Sequence, residues 1–320
     1  MKKLMACFAI LVLGASAARA QLNAYFINVG QGDATYLELP NGANVLIDGG
    51  PSGAPVYEFL KAKGVTRIDH LVLTHPHSDH YRGLKKVFTA FDVKNFYDTK
   101  VENIDAVGDN NLRDLASAEP SCKTHFPEVG DNLRWDGHVT VKVLNTCSEV
   151  IRTRDSSAIN DCSMVLRFYY NGHGILTMGD AEAPVENAMT RLFKSGLQST
   201  YLKVSHHGSR YSSTEKFLAR VQPRVGIISV GKDNTYGHPH KEALDRLLAS
   251  GAQLFTTLGG TQSLTIPAPG RGVAPELNGQ IDVPVNFVAA EAPKFNMADH
   301  PYNAEDSAAM RQLASEAYAK

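Results

Sequence analysis

The segment His75-Pro76-His77-Ser78-Asp79-His80 constrains this chain more than any other. It places four metal-competent side chains within six residues, directly after the apolar run His70 to Thr74. That run reads as a short buried strand, so the four side chains fall at its C-terminal end. Alternate residues of an extended backbone face the same way, so His75 and His77 can share one cation. Asp79 and His80 come one step later and can turn to a second. Imidazole mixed with carboxylate suits zinc, and also manganese or iron.

Other chemistry-bearing residues stand where apolar runs stop. Asp48 follows 44–47, Asp180 follows 175–179, and His206 and His207 follow 201–205. One such residue is ordinarily a capped strand end, and Asp180 could cap the helical stretch after it. Several at one edge point to a shared site, because open sheets gather ligands at their strand ends. Asp180 is the natural carboxylate to bridge two cations. Asp33 and Asp48 read as groups behind the ligands that orient histidines. Of His206 and His207, one is expected to ligate, with His207 favoured, and the other to contact substrate. His238 and His240 lie in a Gly/Pro turn and are candidates to touch substrate or donate a proton, against the alternative of surface histidines. Lys203 and Lys232 read as single solvated lysines able to attract an anion.

The hydrophobic pattern organises the rest. Residues 23–29, 34–39 and 44–47 read as strands, the last two joined by a hairpin turn at Asn41 and Gly42. Helices are predicted at 55–63, stopped by Gly64, and at 83–91. Strands return at 139–144, 163–169, 174–178, 225–230 and 253–257, with helices at 182–195, 213–220 and 241–250. The stretch 100–135 reads as irregular insertions around the site. Hairpin-linked strands followed by alternating strands and helices predict an α/β (α+β) chain of stacked sheets with helices outside. Residues 268–320 read as a C-terminal linker and a final helix, with Met310, Leu313, Ala314, Ala317 and Tyr318 on one face.

The first twenty residues stand apart. Lys2 and Lys3, the apolar run Leu4 to Leu13, and Ala18-Arg19-Ala20 form a signal-peptide pattern with cleavage before Gln21. The expectation is a secreted protein, periplasmic or extracellular. No later run reaches the length of a membrane span, so no stable membrane insertion is expected. The chain holds 32 Lys and Arg against 33 Asp and Glu, and losing Lys2, Lys3 and Arg19 makes the remainder more acidic. That balance carries no sign of a partner such as long nucleic acid, although nucleic acid stays open. Cys122, Cys147 and Cys162 allow one bridge and one free thiol, and lack metal-type spacing.

Taken together, these residues resemble the metallo-β-lactamase superfamily, through His75-x-His77-x-Asp79-His80 with Asp48 upstream and Gly179-Asp180 downstream. Within it the chain is similar to the hydrolase domain of ComEC-type competence proteins. The similar segments are FINVGQGDA (26–34), LIDGG (46–50), LKVSHHGS (202–209) and YGHPH (236–240). The resemblance spans about residues 23–266, within a hydrolase domain assigned to 21–267. It implies a four-layer αββα sandwich with two divalent metal ions at the sheet edge. The ligands expected are His75, His77, Asp79, His80, Asp180 and His207. Two departures stand out. ComEC-type proteins carry this domain on a membrane channel that these residues do not contain. Many relatives also place another histidine ligand before the bridging aspartate. Here His125, His138 and His173 fit no motif, and Asn160-Asp161-Cys162-Ser163 stands in that neighbourhood.

Two adjacent cations lower the pKa of a shared water toward neutrality and stabilise the leaving oxygen, so no nucleophilic Ser or Cys is required. The resemblance implies hydrolysis of phosphodiester bonds, as a nuclease or a small phosphodiesterase. The acidic balance favours a small phosphoester substrate. Asp79, His206, His238 and His240 are the catalytic candidates, with zinc as the expected metal and manganese as the alternative. Two other readings stay open: hydrolysis of a lactone, β-lactam or choline-phosphate ester, or a metal-binding module without catalysis.

Overall fold

A computed structural model describes residues 21–279 and 281–283. The predicted signal peptide and final helix lie outside the described residues. Eight strands form a first sheet: β1 (Leu22–Phe26), β2 (Thr35–Glu38), β3 (Asn44–Ile47), β4 (His70–Val72), β5 (Asn95–Tyr97) and β6 (Lys123–His125), with two late strands described below. A second sheet is built from β7 (Asn132–Leu133), β8 (Thr140–Asn145), β9 (Val165–Tyr170), β10 (His173–Thr177), β11 (Tyr201–Lys203), β12 (Val225–Ile228) and β13 (Gln253–Thr256). The chain then returns to the first sheet with β14 (Gln262–Ile266) and β15 (Glu276–Asn278), and closes the second with β16 (Ile281–Val283). The stretch past residue 267 thus adds an edge strand to each sheet.

Alternation along the strands sets the layers. Val45 and Ile47 of β3 face the inter-sheet core with Val72, Val143, Leu166 and Ile227. Leu46 and Leu71 face the other way, onto Val56 and Leu60 of α1 (Gly53–Ala62) and Leu84 and Val87 of α3 (Leu84–Ala90), which follows the one-turn α2 (Ser78–Tyr81). The polar helix α4 (Val107–Ala118) joins that layer through Leu112 and Ala116. After α5 (Ser156–Asp161), helices α6 (Ala183–Phe193), α7 (Glu215–Val221) and α8 (Lys241–Ala249) cover the second sheet through Val185, Met189, Phe217, Leu218 and Leu247. Central strands are therefore buried on both faces, as in β9. Each fully buried aliphatic side chain contributes about 1.5–3 kcal/mol. The result is the expected four-layer αββα sandwich.

The predicted irregular stretch 100–135 differs. It holds α4, β6 and β7, together with the short strand Val101–Asn103, which pairs in parallel with Ile151–Thr153. Their apolar signal is weak: β6 has no buried residue, and α4 buries a narrow Leu112/Ala116 stripe.

The topology positions the site. β3, β4 and β5 run parallel in one sheet, and β10, β11 and β12 run parallel in the other. Their C-terminal ends open onto one edge of the sandwich. Among the described residues, no helix is long and apolar enough to cross a membrane.

Candidate metal centre

β3 ends at Ile47 and delivers Asp48 in a left-handed conformation with φ of 60°. Its carboxylate accepts hydrogen bonds from Thr74 N (2.8 Å) and Thr74 Oγ1 (2.7 Å), and meets His80 Nδ1 at 2.8 Å. Burial pushes the Asp48 carboxyl up, against the lowering effect of His80 and Thr74. The contact holds His80 with its Nε2 free to face the interior of the site.

β4 leads through Leu73 and Thr74 into the histidine-rich segment. His75 Nε2 and His77 Nδ1 lie 3.0 Å apart. His75 Nδ1 is within reach of Thr74 Oγ1 and Ser163 Oγ, and His77 Nε2 of Ser156 Oγ. Burial holds both imidazoles below their usual pKa. Neutral rings with their outer nitrogens already engaged suit cation binding at the inner ones.

β10 leads through Met178 and Gly179 to Asp180. Its Oδ2 lies 3.7 Å from both His75 Nε2 and His207 Nε2, and its Oδ1 lies 3.3 Å from His80 Nε2. Asp180 is not the helix cap: the residue preceding α6 is Glu182. Burial opposes the Asp180 charge, but His80, His207 and His206 outweigh it and hold its pKa well below the usual carboxylate range.

β11 leads into a turn in which His206 and His207 both take positive φ, 48° and 53°. Non-glycine residues held there are strained, a state that concentrates at functional sites. The strain turns the two rings to different duties. The Nδ1 of His207 meets the Ser229 carbonyl at 2.9 Å, and its Nε2 lies 3.3 Å from Asp79 Oδ2. His206 instead sets Nδ1 3.0 Å from Glu182 Oε1 and Nε2 3.8 Å from Asp180 Oδ2.

The donors fall into two groups, each with ligand atoms mutually within 4.8 Å: His75, His77 and Asp180, and Asp79, His80 and His207. Asp180 reaches both. His80 Nε2, His207 Nε2 and Asp180 Oδ1 are buried without a hydrogen-bond partner. Orphaned buried donor atoms aimed into one space are costly unless something satisfies them. Cations fit that need and this donor chemistry. None of His125, His138 and His173 belongs to either group.

Other expected residues sit differently. Asp33 does not orient His207 by a hydrogen bond: its Oδ1 is 3.8 Å from His207 Nδ1, which the Ser229 carbonyl engages. Lys203 is not solvated but 2% exposed, with Nζ 2.7 Å from Asp33 Oδ2. Its strand lies inside the sandwich, and the turn after β1 supplies the counter-charge. Lys232 is exposed. His238 stacks over His207 at 6.1 Å, with Tyr236 stacked beyond it at 5.7 Å. His240 sits behind His238, where its Nδ1 accepts the Arg210 N–H at 3.1 Å. Cys147 and Cys162 form the disulfide, pinning the end of α5, and Cys122 is free.

The donors open onto a cleft of about 300 Å³ lined by Arg82, Asn103, Asn160, Tyr236 and His238. A larger cavity of about 650 Å³ between α7 and α8 holds none of these residues. Sequence reading missed Glu182, although it stands two residues after Asp180.

Comparisons with known proteins bear on the fold that carries these residues. Residues 27–108 match the metallo-beta-lactamase superfamily. ComE operon protein 3 of Bacillus subtilis is 29% identical over 250 residues, 72% of this chain and 31% of its own. Competence protein ComA of Neisseria gonorrhoeae is 29% identical over 236 residues, 72% of this chain and 30% of its own. The chain thus spans about a third of the length of these relatives. Among solved structures, the metallo-beta-lactamase fold protein YhfI from Bacillus subtilis superposes with a TM-score of 0.50 at 11% identity, covering 76% of this chain and 99% of its own. Fold and sequence agree that residues 27–108 lie in a metallo-β-lactamase superfamily domain, similar to part of the ComEC-type competence proteins.

Proposed function

We propose that the protein hydrolyses phosphodiester bonds with two divalent cations, zinc or manganese, held by His75, His77, Asp79, His80, Asp180 and His207. The observation that carries this reading is the division of the Asp180 carboxylate between the two donor groups. Two cations held by these residues would supply an activated water and stabilise charge on both the attacking and the leaving oxygen of a phosphodiester. The chain's own residues orient and recognise. Asp48 holds His80, and the Ser229 carbonyl holds His207. Glu182 aims His206 at the space beside Asp180, where it meets substrate. His238 has its pKa lowered to about 4 by burial and the neighbouring His207, His206 and His240. It is therefore neutral near pH 7 and engages substrate by ring contact or hydrogen bonding rather than by charge. Exposed Arg82 at the rim offers the positive charge that a phosphate anion needs.

One relative is named a competence protein, and a nucleic-acid substrate belongs to the same bond class. The acidic balance of the chain favours a small phosphodiester. Export rests on the pattern of the first twenty residues, and N-terminal sequencing of exported protein tests it. The test of function is turnover of bis-p-nitrophenyl phosphate by protein loaded with zinc or manganese, beside a lactone and a β-lactam. Asp180→Ala should lower kcat by at least about 10²-fold. Turnover of the lactone or β-lactam alone moves the assignment to that bond. No turnover with two cations bound leaves a binding module.

A further inference from the structure

Lys203 is among the largest fully buried side chains of the protein, and no step above uses it. Its Nζ donates to Asp33 Oδ2 at 2.7 Å and to the Val204 carbonyl at 3.1 Å. Lys203 belongs to the second sheet and Asp33 to the turn between β1 and β2 of the first, so the pair joins the two sheets beneath the donors. Asp33 is tied to the site by two further hydrogen bonds of its backbone. Its N–H donates to the Asp79 carbonyl at 3.2 Å, and its own carbonyl accepts the Gly50 N–H at 2.8 Å. Its Oδ1 is buried without a hydrogen-bond partner, 3.8 Å from His207 Nδ1. Asp33 also forms a third donor group with Asp48 and His80, all within 4.8 Å. By donor chemistry alone that group could hold a cation, and the lysine ammonium stands against one of its carboxylates instead.

We propose that Lys203 is a positioning residue acting as an internal cation: it neutralises Asp33, keeps that carboxylate out of the donor set, and so leaves Asp79, His80 and His207 to define the second cation position. The proposal rests on the two-cation reading above. The reason is charge balance in a low-dielectric space. A buried ion pair can often be replaced by neutral groups at little cost, whereas removing one partner leaves an uncompensated charge. Here that stranded charge would lie beside a cation position, so each single change should alter cation binding in its own direction.

The test uses Asp33→Asn, Lys203→Met and the double variant. Zinc stoichiometry and Kd are measured by competition with a chromogenic chelator, with thermal melting to establish folding. Asp33→Asn leaves the ammonium without its carboxylate, on the strand that leads to His207, and should weaken one of the two cations by roughly tenfold or more. Lys203→Met frees the Asp33 carboxylate and should tighten binding at the same position. The double variant should return to wild-type affinity, which a merely structural role does not predict. If the double variant binds as weakly as Asp33→Asn, or if Asp33→Asn keeps both cations at wild-type affinity, the proposal is overturned. Should Asp33→Asn not fold, Lys203→Met decides: tighter binding supports the proposal and unchanged affinity overturns it. A wild-type chain that binds no cation overturns the two-cation reading as well. Two cations in wild type with no response to either variant overturns this proposal alone.

Discussion

Glu182 Oε1 lies 3.0 Å from His206 Nδ1, and the other nitrogen of that ring faces Asp180 Oδ2 at 3.8 Å. Glu182 is itself anchored, accepting a hydrogen bond from Asn160 Nδ2 at 3.2 Å and donating its N–H to Asp161 Oδ1. Burial disfavours the protonated imidazole of His206, but Asp180 and Glu182 outweigh it and raise its pKa. Glu182→Gln removes the charge that aims the ring while keeping its shape. It should lower kcat on an aryl phosphodiester by roughly tenfold, the scale of lost support behind a site histidine. Steady-state kinetics on protein of unchanged melting temperature is the measurement. A wild-type kcat would mean that backbone strain alone holds the ring.

Glu186 gives the fold a pH dependence separate from the metal centre. It is fully buried on α6, where it accepts the Ser213 and Thr214 N–H groups. Burial raises its pKa from 4.5 to about 7, against those hydrogen bonds. A carboxyl raised in the folded state contributes stability below its unfolded pKa and loses it as pH rises through the folded value. The wild type should therefore lose about 3 kcal/mol of this contribution between pH 4.5 and somewhat above 7, at about 1.4 kcal/mol per unit. Glu186→Gln should gain on the wild type by that order over the same range. Urea midpoints at pH 5 and pH 8 compare them, and a difference that does not vary with pH would rule out Glu186 as the titrating group.

Much of this was legible because some signals are local. The His75–His80 cluster needs one strand and one turn, and β3 lies where the apolar run 44–47 put it. What stayed hidden depends on distant partners. Lys203 looks like a surface lysine until Asp33, 170 positions away, is brought beneath it. Glu182 looks like an ordinary residue ahead of a helix until the strained turn at His206 presents a ring to it. His240 has the same composition signal as His238, but the Arg210 N–H takes its Nδ1 and ties it into the loop. The helix α4 was obscured because Leu112 and Ala116, one turn apart, are too few to mark a helical period.

Gly83 tests how tightly the strand end and the histidine segment are pressed together. Its φ is −67°, so alanine suits its backbone, but an added Cβ would fall 1.8 Å from the Gly49 carbonyl oxygen. That oxygen cannot retreat freely, because Gly49 N donates to the His80 carbonyl and Gly83 N to the Gly50 carbonyl. Gly83→Ala should destabilise by at least about 2 kcal/mol, the range for overpacked contacts. Gly64→Ala is the contrast. It has φ of 71° and open space around it, so it should cost about 1 kcal/mol through backbone strain alone. Denaturant midpoints of the two variants measure the difference, and equal losses would show that the contact yields easily.

Cation removal should reach the fold as well as the activity. His80 Nε2, His207 Nε2 and Asp180 Oδ1 are buried with no hydrogen-bond partner, and Asp79 and Asp180 bring two carboxylates to the same space. Without cations the protein holds these groups at a cost, and with them it recovers stability by mass action. At a free cation concentration of 100 times Kd, one site contributes about 2.7 kcal/mol. Dialysis against a chelator should therefore abolish hydrolysis and lower Tm by several degrees. Titrating zinc or manganese back should raise Tm progressively and restore turnover over the same concentration range. Magnesium should do less, since it prefers all-oxygen ligands and this set is rich in imidazole. Differential scanning fluorimetry across a cation series, read beside the activity assay, is the measurement. A Tm that stays constant while activity is lost and regained would mean that the donors are held rigidly by Asp48, Ser229 and Lys203 alone, and that the cations act only on the substrate.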